Sequence, residues 1–308
     1  MNIIGHKYIY LTFSGVLVLA SIVALLVWKL NVGIDFTGGS LMEVAFTKGT
    51  MPTVDNVKEV LAPLKLGDIT IQPIGNNGAN GSLGMLFRFR TIDEDTHQQM
   101  LRALSGLRGP TETVERRFDT IGPTVGRELR TQSFLAIGLT AVGIVVYLAW
   151  AFRRVSKPVA SWKYGVVAVS AFIHDVMIPI GVFAFLGHFY GVAVDSLFIT
   201  ALLTVMGFSV HDTIVIFDRI RENLAKLKTV EPYEVTVNRS VNETISRSIN
   251  TSLTVLMVLF AVFLFGGETS RYFSLTLIVG IIFGTYSSIF IASPLLVIWE
   301  QAQRKKSK

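Results

Sequence analysis

The chain of 308 residues is 51% hydrophobic and only 16% charged, with a mean hydropathy of +0.53, which excludes an ordinary pair of soluble domains and reads as a membrane protein. It contains no Cys, so a disulfide-stapled fold, a Cys-based metal site and a thiol nucleophile are excluded. The net charge of +6 is distributed toward lipid headgroups and topology, and not toward nucleic acid, as the connections between the apolar stretches show.

Crossing about 30 Å of hydrocarbon takes roughly 20 apolar residues at about 1.5 Å of rise each. The first such stretch runs from Ile9 to Trp28. It is longer than the apolar core of a secretory signal, and no small-residue cleavage site follows before Lys29, so it is read as an uncleaved anchor. About 100 mixed residues follow, and they carry 12 basic and 12 acidic side chains between Lys29 and Arg130, a balance with no electrostatic attraction for nucleic acid. Their pattern is a small α+β domain over residues 31–130. A strand from Ser40 to Thr47 precedes a helix with apolar positions Val54, Val57, Val60, Leu61 and Leu64. Strands near Ile69 to Pro73 and Leu83 to Arg90 come next, joined by a turn at Asn76 to Gly81. A second helix opens at the acidic cluster Asp93, Glu94 and Asp95 and stops at Gly109 and Pro110, before a last strand from Thr111 to Phe118. The order β-α-β-β-α-β is the ferredoxin-like arrangement.

Five more apolar stretches fill residues 131–300: Ser133 to Phe152, Tyr164 to Leu186, Ser196 to Phe217, Ile249 to Phe265 and Phe273 to Trp299. The expected fold is thus an α-helical membrane protein of six transmembrane helices, with an extracytoplasmic ferredoxin-like domain between helices 1 and 2. Lys and Arg in short loops resist translocation and set the orientation. Residues 153–163 carry Arg153, Arg154, Lys157 and Lys163, residues 218–247 carry six basic residues, and the tail at 301–308 carries Arg304, Lys305, Lys306 and Lys308. Short loops on the other side hold only Arg271. Residues 1–30 therefore begin in the cytoplasm and end with the first span, the basic tail is cytoplasmic, and the α+β domain lies outside.

No Lys or Arg occurs between Tyr164 and Phe217, yet Asp175 and Asp212 sit inside spans. An ionised carboxylate at such depth costs roughly 2.5 to 3.5 kcal/mol on insertion scales. Two readings remain open for each: a structural hydrogen bond inside the bundle, or a proton or ion carrier whose charge is switched by its surroundings. Thr200, Thr204, Gly207 and His211 fall along one stripe of the helix that holds Asp212, and Arg247, Asn250, Thr251 and Thr254 form a matching stripe on the fifth span. Arg247 either pairs with Asp212 or anchors a helix end at the headgroups. The pairs His174-Asp175 and His211-Asp212 do not make a metal centre, because helix neighbours point about 100° apart and no third ligand cluster accompanies them. No phosphate-binding glycine loop is present, and neither a cofactor nor a metal is expected. Gly280, Gly284, Ser288 and Ala292 form a small-residue stripe that serves a close helix contact, within the bundle or with a partner.

Four segments in order resemble a known family. They are Gly33-Ile34-Asp35-Phe36-Thr37-Gly38-Gly39, then Phe118-Asp119-Thr120-Ile121-Gly122-Pro123-Thr124-Val125-Gly126, then Gly207 to Asn223 with Val210-His211-Asp212-Thr213, and Thr244 to Ser252 with Arg247. The chain is similar along essentially its whole length to SecF, the smaller subunit of the SecD-SecF protein-export complex and a branch of the resistance-nodulation-division superfamily. The resemblance implies a non-enzymatic subunit in the bacterial inner membrane that uses the proton-motive force to draw secreted proteins through and out of the Sec channel. Its implied partners are SecD, the SecYEG translocon, YajC, the translocating preprotein, protons and membrane lipids. It implies proton coupling at Asp212 with Arg247, a related role for Asp175, and motif or hinge positions at Asp35, Gly38, Gly39, Gly122, Pro123 and Gly126. His211 stands where the family often has Asn, so it joins the proton path or replaces a hydrogen bond. The alternative is a proton-coupled exporter of small molecules or lipids from the same superfamily, against which the modest external domain argues.

Overall fold

Helices dominate because the apolar runs leave their backbone groups no partner but one another once water is removed. The computed structural model describes residues 1–46, 51–75, 83–107, 113–151, 161–227 and 231–306. The turn expected at Asn76 to Gly81, the stop at Gly109 and Pro110, and the basic residues Arg153, Arg154 and Lys157 lie outside them. Six helices among the described residues are long and apolar enough to cross a membrane. They are α1 (Lys7–Trp28), α5 (Pro123–Ala151), α6 (Ser161–Tyr190), α7 (Ser196–Leu227), α8 (Tyr233–Phe265), and α9 (Glu268–Ser287), which continues through a π-helical turn (Ser288–Ala292) into α10 (Ser293–Lys306). Several run well beyond the apolar stretches of the sequence. α8 begins at Tyr233 and α7 continues to Leu227, where charged residues give the helix a polar surface.

The chain divides into two units, residues 1–31 with 134–308, and residues 32–133. In the first, α6, α7 and the α9–α10 run are the interior: 67% of the apolar window of the last span is buried within the chain, against 6% of that of α5 and 11% of that of α8. Tyr164, Met206, Phe217 and Leu296 are among its fully buried side chains. Apolar residues of α1, α5 and α8, such as Leu19, Leu139 and Val258, are exposed, which a bilayer tolerates and water does not.

The small-residue stripe works inside this bundle. A Cβ on Gly280 would stand 2.2 Å from Val205 Cγ2, and one on Gly284 would meet Ser209 Cβ at 3.3 Å, so α9 lies backbone-close to α7. Ser288 and Ala292 are fully buried. The π turn has a local cause: Pro294 offers no N–H to the carbonyl of Phe290, and Ser293 Oγ donates to the carbonyl of Ser288 at 3.2 Å. Pro179 has the same effect within α6, leaving the main-chain carbonyl of Asp175 without its helical donor.

In the second unit, β1 (Gly39–Phe46), β2 (Thr70–Gly75), β3 (Leu83–Phe89) and β4 (Thr113–Ile121) form one sheet in the order β2-β3-β1-β4. All neighbours are antiparallel, with Met42 opposite Phe87 and Val44 opposite Met85. These residues bury one sheet face against Val57 and Leu61 of α3 (Val54–Leu61) and Met100 and Leu104 of α4 (Glu94–Ser105). The helix starts are fixed by caps. Thr53 Oγ1 accepts from the N–H of Asn56 at 3.3 Å, and Asp93 Oδ1 accepts from that of Thr96 at 3.0 Å. A short helix, α2 (Ile34–Thr37), falls inside the first glycine motif, where the sequence shows no helical period.

Candidate functional site

Two carboxylates in the membrane unit occupy unlike surroundings. Asp175, on α6, is fully buried. Its Oδ1 lies 2.8 Å from His174 Nδ1, while its Oδ2 accepts from Ser209 Oγ of α7 at 2.5 Å and from Ser287 Oγ of α9 at 2.6 Å. Three helices therefore meet on one side chain, and the second lone-pair site of Oδ2 is filled as fully as the first. His174 is also buried; its ring stacks on Tyr286 and meets Phe283 edge-on, and its Nε2 has no hydrogen-bond partner among the described residues.

Asp212, on α7, is 2% exposed, and its Oδ2 accepts from Thr285 Oγ1 of α9 at 3.3 Å. Thr285 Oγ1 is in turn 2.5 Å from Ser252 Oγ of α8, and Ser252 donates to the carbonyl of Ser248 at 2.9 Å. Beside this buried carboxyl runs an exposed polar face. Thr200, Thr204, Gly207 and His211 on α7 are all exposed, as are Arg247, Asn250, Thr251 and Thr254 on α8. Polar side chains that face outward at membrane depth, without water, are expected where a second protein surface covers them.

No ion pair joins Asp212 to Arg247 among the described residues. The reason is the register of the two antiparallel helices. Toward the α7–α8 connection Arg219 Nε pairs with Glu243 Oε2 at 2.5 Å, and Asn223 Nδ2 donates to Ser240 Oγ at 3.0 Å. Carried along the helices, these contacts put Asn250 level with Asp212 and Arg247 about one turn nearer the α7–α8 connection. Among the described residues the side chain that bonds Asp212 is Thr285 of α9.

The glycine motifs come together inside the sheet unit. Gly38 has φ +73°, open to glycine, and a Cβ there would lie 2.8 Å from Pro123 Cα. A Cβ on Gly126 would lie 2.8 Å from the nitrogen of Gly38, and Gly39, at φ +122°, would collide with the carbonyl oxygen of Phe89. Gly122 has open space around it, and Asp35 is half-buried in α2. What sequence reasoning missed is the hydroxyls Ser252, Thr285 and Ser287, and that Ser209, beside the polar stripe of α7, bonds to Asp175. A lone Ser or Thr in an apolar run carries no periodic signal, and only the partners reveal it.

Residues 103–302 match the family model described as protein export membrane protein SecD/SecF, C-terminal, and residues 23–50 match the SecD/SecF GG motif. The protein translocase subunit SecF of Thermobaculum terrenum is 42% identical over 97% of this chain and 94% of its own length. That of Anaerolinea thermophila is 40% identical over 98% of this chain and 95% of its own length. Among solved structures, the crystal structure of SecDF, a translocon-associated membrane protein, from Thermus thermophilus matches 98% of this chain at 30% identity and a TM-score of 0.80. The chain spans 39% of that longer chain.

Proposed function

Because the chain belongs to the SecD/SecF family of protein-export membrane proteins and is similar over nearly its whole length to SecF translocase subunits, we propose that it works beside a SecD subunit and uses the proton-motive force to promote protein export. It is a multi-pass membrane protein, and the family role is that of a translocase subunit and not of an enzyme. The names of the relatives lend nothing to the exporter reading.

One observation carries the proposal: Asp212 is a buried carboxylate at membrane depth, next to an outward polar face that carries His211 and Arg247. In this reading SecD covers that face. A proton arriving from outside neutralises Asp212 and removes its attraction for Arg247, which lies near enough for the long side chain to swing toward it. The helices then repack. One charge crossing 100 mV supplies about 2.3 kcal/mol, enough to move a two-state equilibrium roughly fiftyfold. His211 and Asp175 take secondary parts, the former on the exposed face and the latter within the bundle. The sheet unit is the extracytoplasmic ferredoxin-like domain between the first two spans, the termini are cytoplasmic, and the membrane is the bacterial inner membrane. The β2-β3-β1-β4 order with its two helices supports the ferredoxin-like reading of that domain, and the basic loops support the orientation. The preprotein leaving SecYEG is the load, with YajC an accessory partner and the glycine motifs the levers.

The test is export into proteoliposomes that contain the chain with its SecD partner, with and without a proton gradient. Asp212→Asn is expected to export at the gradient-free rate under both conditions. Gradient-stimulated export equal to wild type would overturn the reading.

A further inference from the structure

The two aspartates are reached by hydroxyls of the same turn of α9. Thr285 contacts Asp212 and Ser287 contacts Asp175, two positions apart and so about 200° around the helix. We propose that Thr285 and Ser287 are positioning residues that make this turn of α9 the coupling element between the two carboxyls, so that the proton state of one sets the hydrogen-bond geometry at the other. The inference rests on the proton-coupled reading above and deepens it.

Each hydroxyl has one proton and a choice of acceptors. Ser287 Oγ lies 2.6 Å from Asp175 Oδ2 and 3.1 Å from the carbonyl of Gly284, on its own helix. Thr285 Oγ1 lies 3.3 Å from Asp212 Oδ2 and 2.5 Å from Ser252 Oγ, which has the carbonyl of Ser248 as its own second acceptor. An ionised carboxylate only accepts, so it draws these protons toward itself and ties α9 to α6 and α7. Once protonated, Asp212 donates to Thr285 Oγ1. The Thr285 proton then turns to Ser252, and the Ser252 proton to the Ser248 carbonyl. The Ser287 proton turns to Gly284 in the same way when Asp175 carries a proton. Protonation of Asp212 thus reverses its bond with Thr285 and ties α9 to α8, while protonation of Asp175 lets Ser287 turn from α6 to a carbonyl of α9 itself.

The position of the turn suits this task. It sits against Ser209 through the missing side chain of Gly284, so a small shift is transmitted backbone to backbone. It leads directly into the π turn at Ser288–Ala292, where the helical ladder is already broken. Among the described residues, the other titratable groups near the two carboxyls are the following. Asp175 has His174 from its own helix, with Tyr286 of α9 stacked on that ring. Asp212 has His211 from its own helix and Arg247 from α8. Small shifts become discrete changes only where a packed element has two arrangements, and the paired acceptors supply them.

The decisive measurement is on the carboxyl groups themselves, by infrared titration of the full chain with its SecD partner in lipid bilayers. The Asp212 band is the one lost in Asp212→Asn. Ser287→Ala, which removes a contact to Asp175 and none to Asp212, is expected to displace the titration of that Asp212 band by about one pH unit, the order of one hydrogen bond to a charged group. Thr285→Val is expected to do the same to the Asp175 band, and Thr285→Ser to restore it. In gradient-driven export the double variant Thr285→Val with Ser287→Ala should be no worse than the poorer single variant, at about a tenfold loss. Remote bands that do not move, or losses that multiply in the double variant, would overturn the coupling. Should a variant fail to assemble with its partner, the same titration on the purified chain decides. If Asp212→Asn keeps its response to the gradient, the functional reading itself falls. If it loses the response while Ser287→Ala leaves the Asp212 band in place, only the coupling falls.

Discussion

The junction around Asp175 and the polar face beside Asp212 are built from the same kinds of residue and solve opposite problems. Asp175 finds all its partners within this chain, from α6, α7 and α9, and nothing of it reaches the surface. Asp212 has one hydroxyl and lies beside a row of polar side chains turned outward. A satisfied buried network fixes one arrangement of helices. A half-satisfied one waits for a second surface, and that surface can change with the state of the partner. The contrast teaches that depth in a membrane protein does not by itself mark the working group; incompleteness does.

Four substitutions sharpen the contrast. The largest effect on export is expected from Asp212→Asn, with loss of the gradient-dependent component and little change in thermal unfolding of the detergent-solubilised chain. A melting transition lowered as much as by Asp175→Leu would erase the distinction between the two sites. Asp175→Leu should instead cost about 2 to 3 kcal/mol, because it strands Ser209 Oγ and His174 Nδ1 in the core; unfolding in mixed detergent reads this directly. Gly280→Val should cost about 1 to 3 kcal/mol by overpacking against Val205, and it should weaken the α7–α9 contact without altering the polar face. Partner capture at wild-type level by this variant is the expected control. The smallest effect lies in the sheet unit. The Asp93 carboxyl is held below its ordinary range, first by the hydrogen bonds of Thr96. A lowered value means that the cap stabilises α4 above the ordinary carboxylate range and is lost as pH falls through the lowered value. The protection of the Thr96 amide, corrected for the intrinsic pH dependence of exchange, should therefore fall in acid, and Asp93→Ala should show that low protection at neutral pH as well.

Much of this was legible in the sequence for a physical reason. Lipid demands about 20 apolar residues per crossing, so the spans stand out in composition, and a carboxylate inside one stands out as sharply. The alternation Met85, Phe87, Phe89 likewise marked β3, and the acidic cluster at Asp93 marked the start of α4. What stayed hidden depends on tertiary placement. The turns of α7 and α8 nearest their connection are amphipathic and look like loops to a hydropathy reading, and their register decides that Arg247 stands a turn away from Asp212. Ser209, Thr285 and Ser287 look like incidental hydroxyls until α9 is laid against α6 and α7. Pro294 was the available signal for the π turn, and Pro179 for the freed carbonyl of Asp175.

The meeting of Gly38 with Pro123 and Gly126 has a mechanical consequence. The two covalent leads into the sheet unit, one arriving through α2 and one leaving through α5, touch main chain to main chain with no side chain between them. Any side chain larger than hydrogen at Gly38 or Gly126 would push these two main chains apart, so the leads stay in contact only while both positions are glycine.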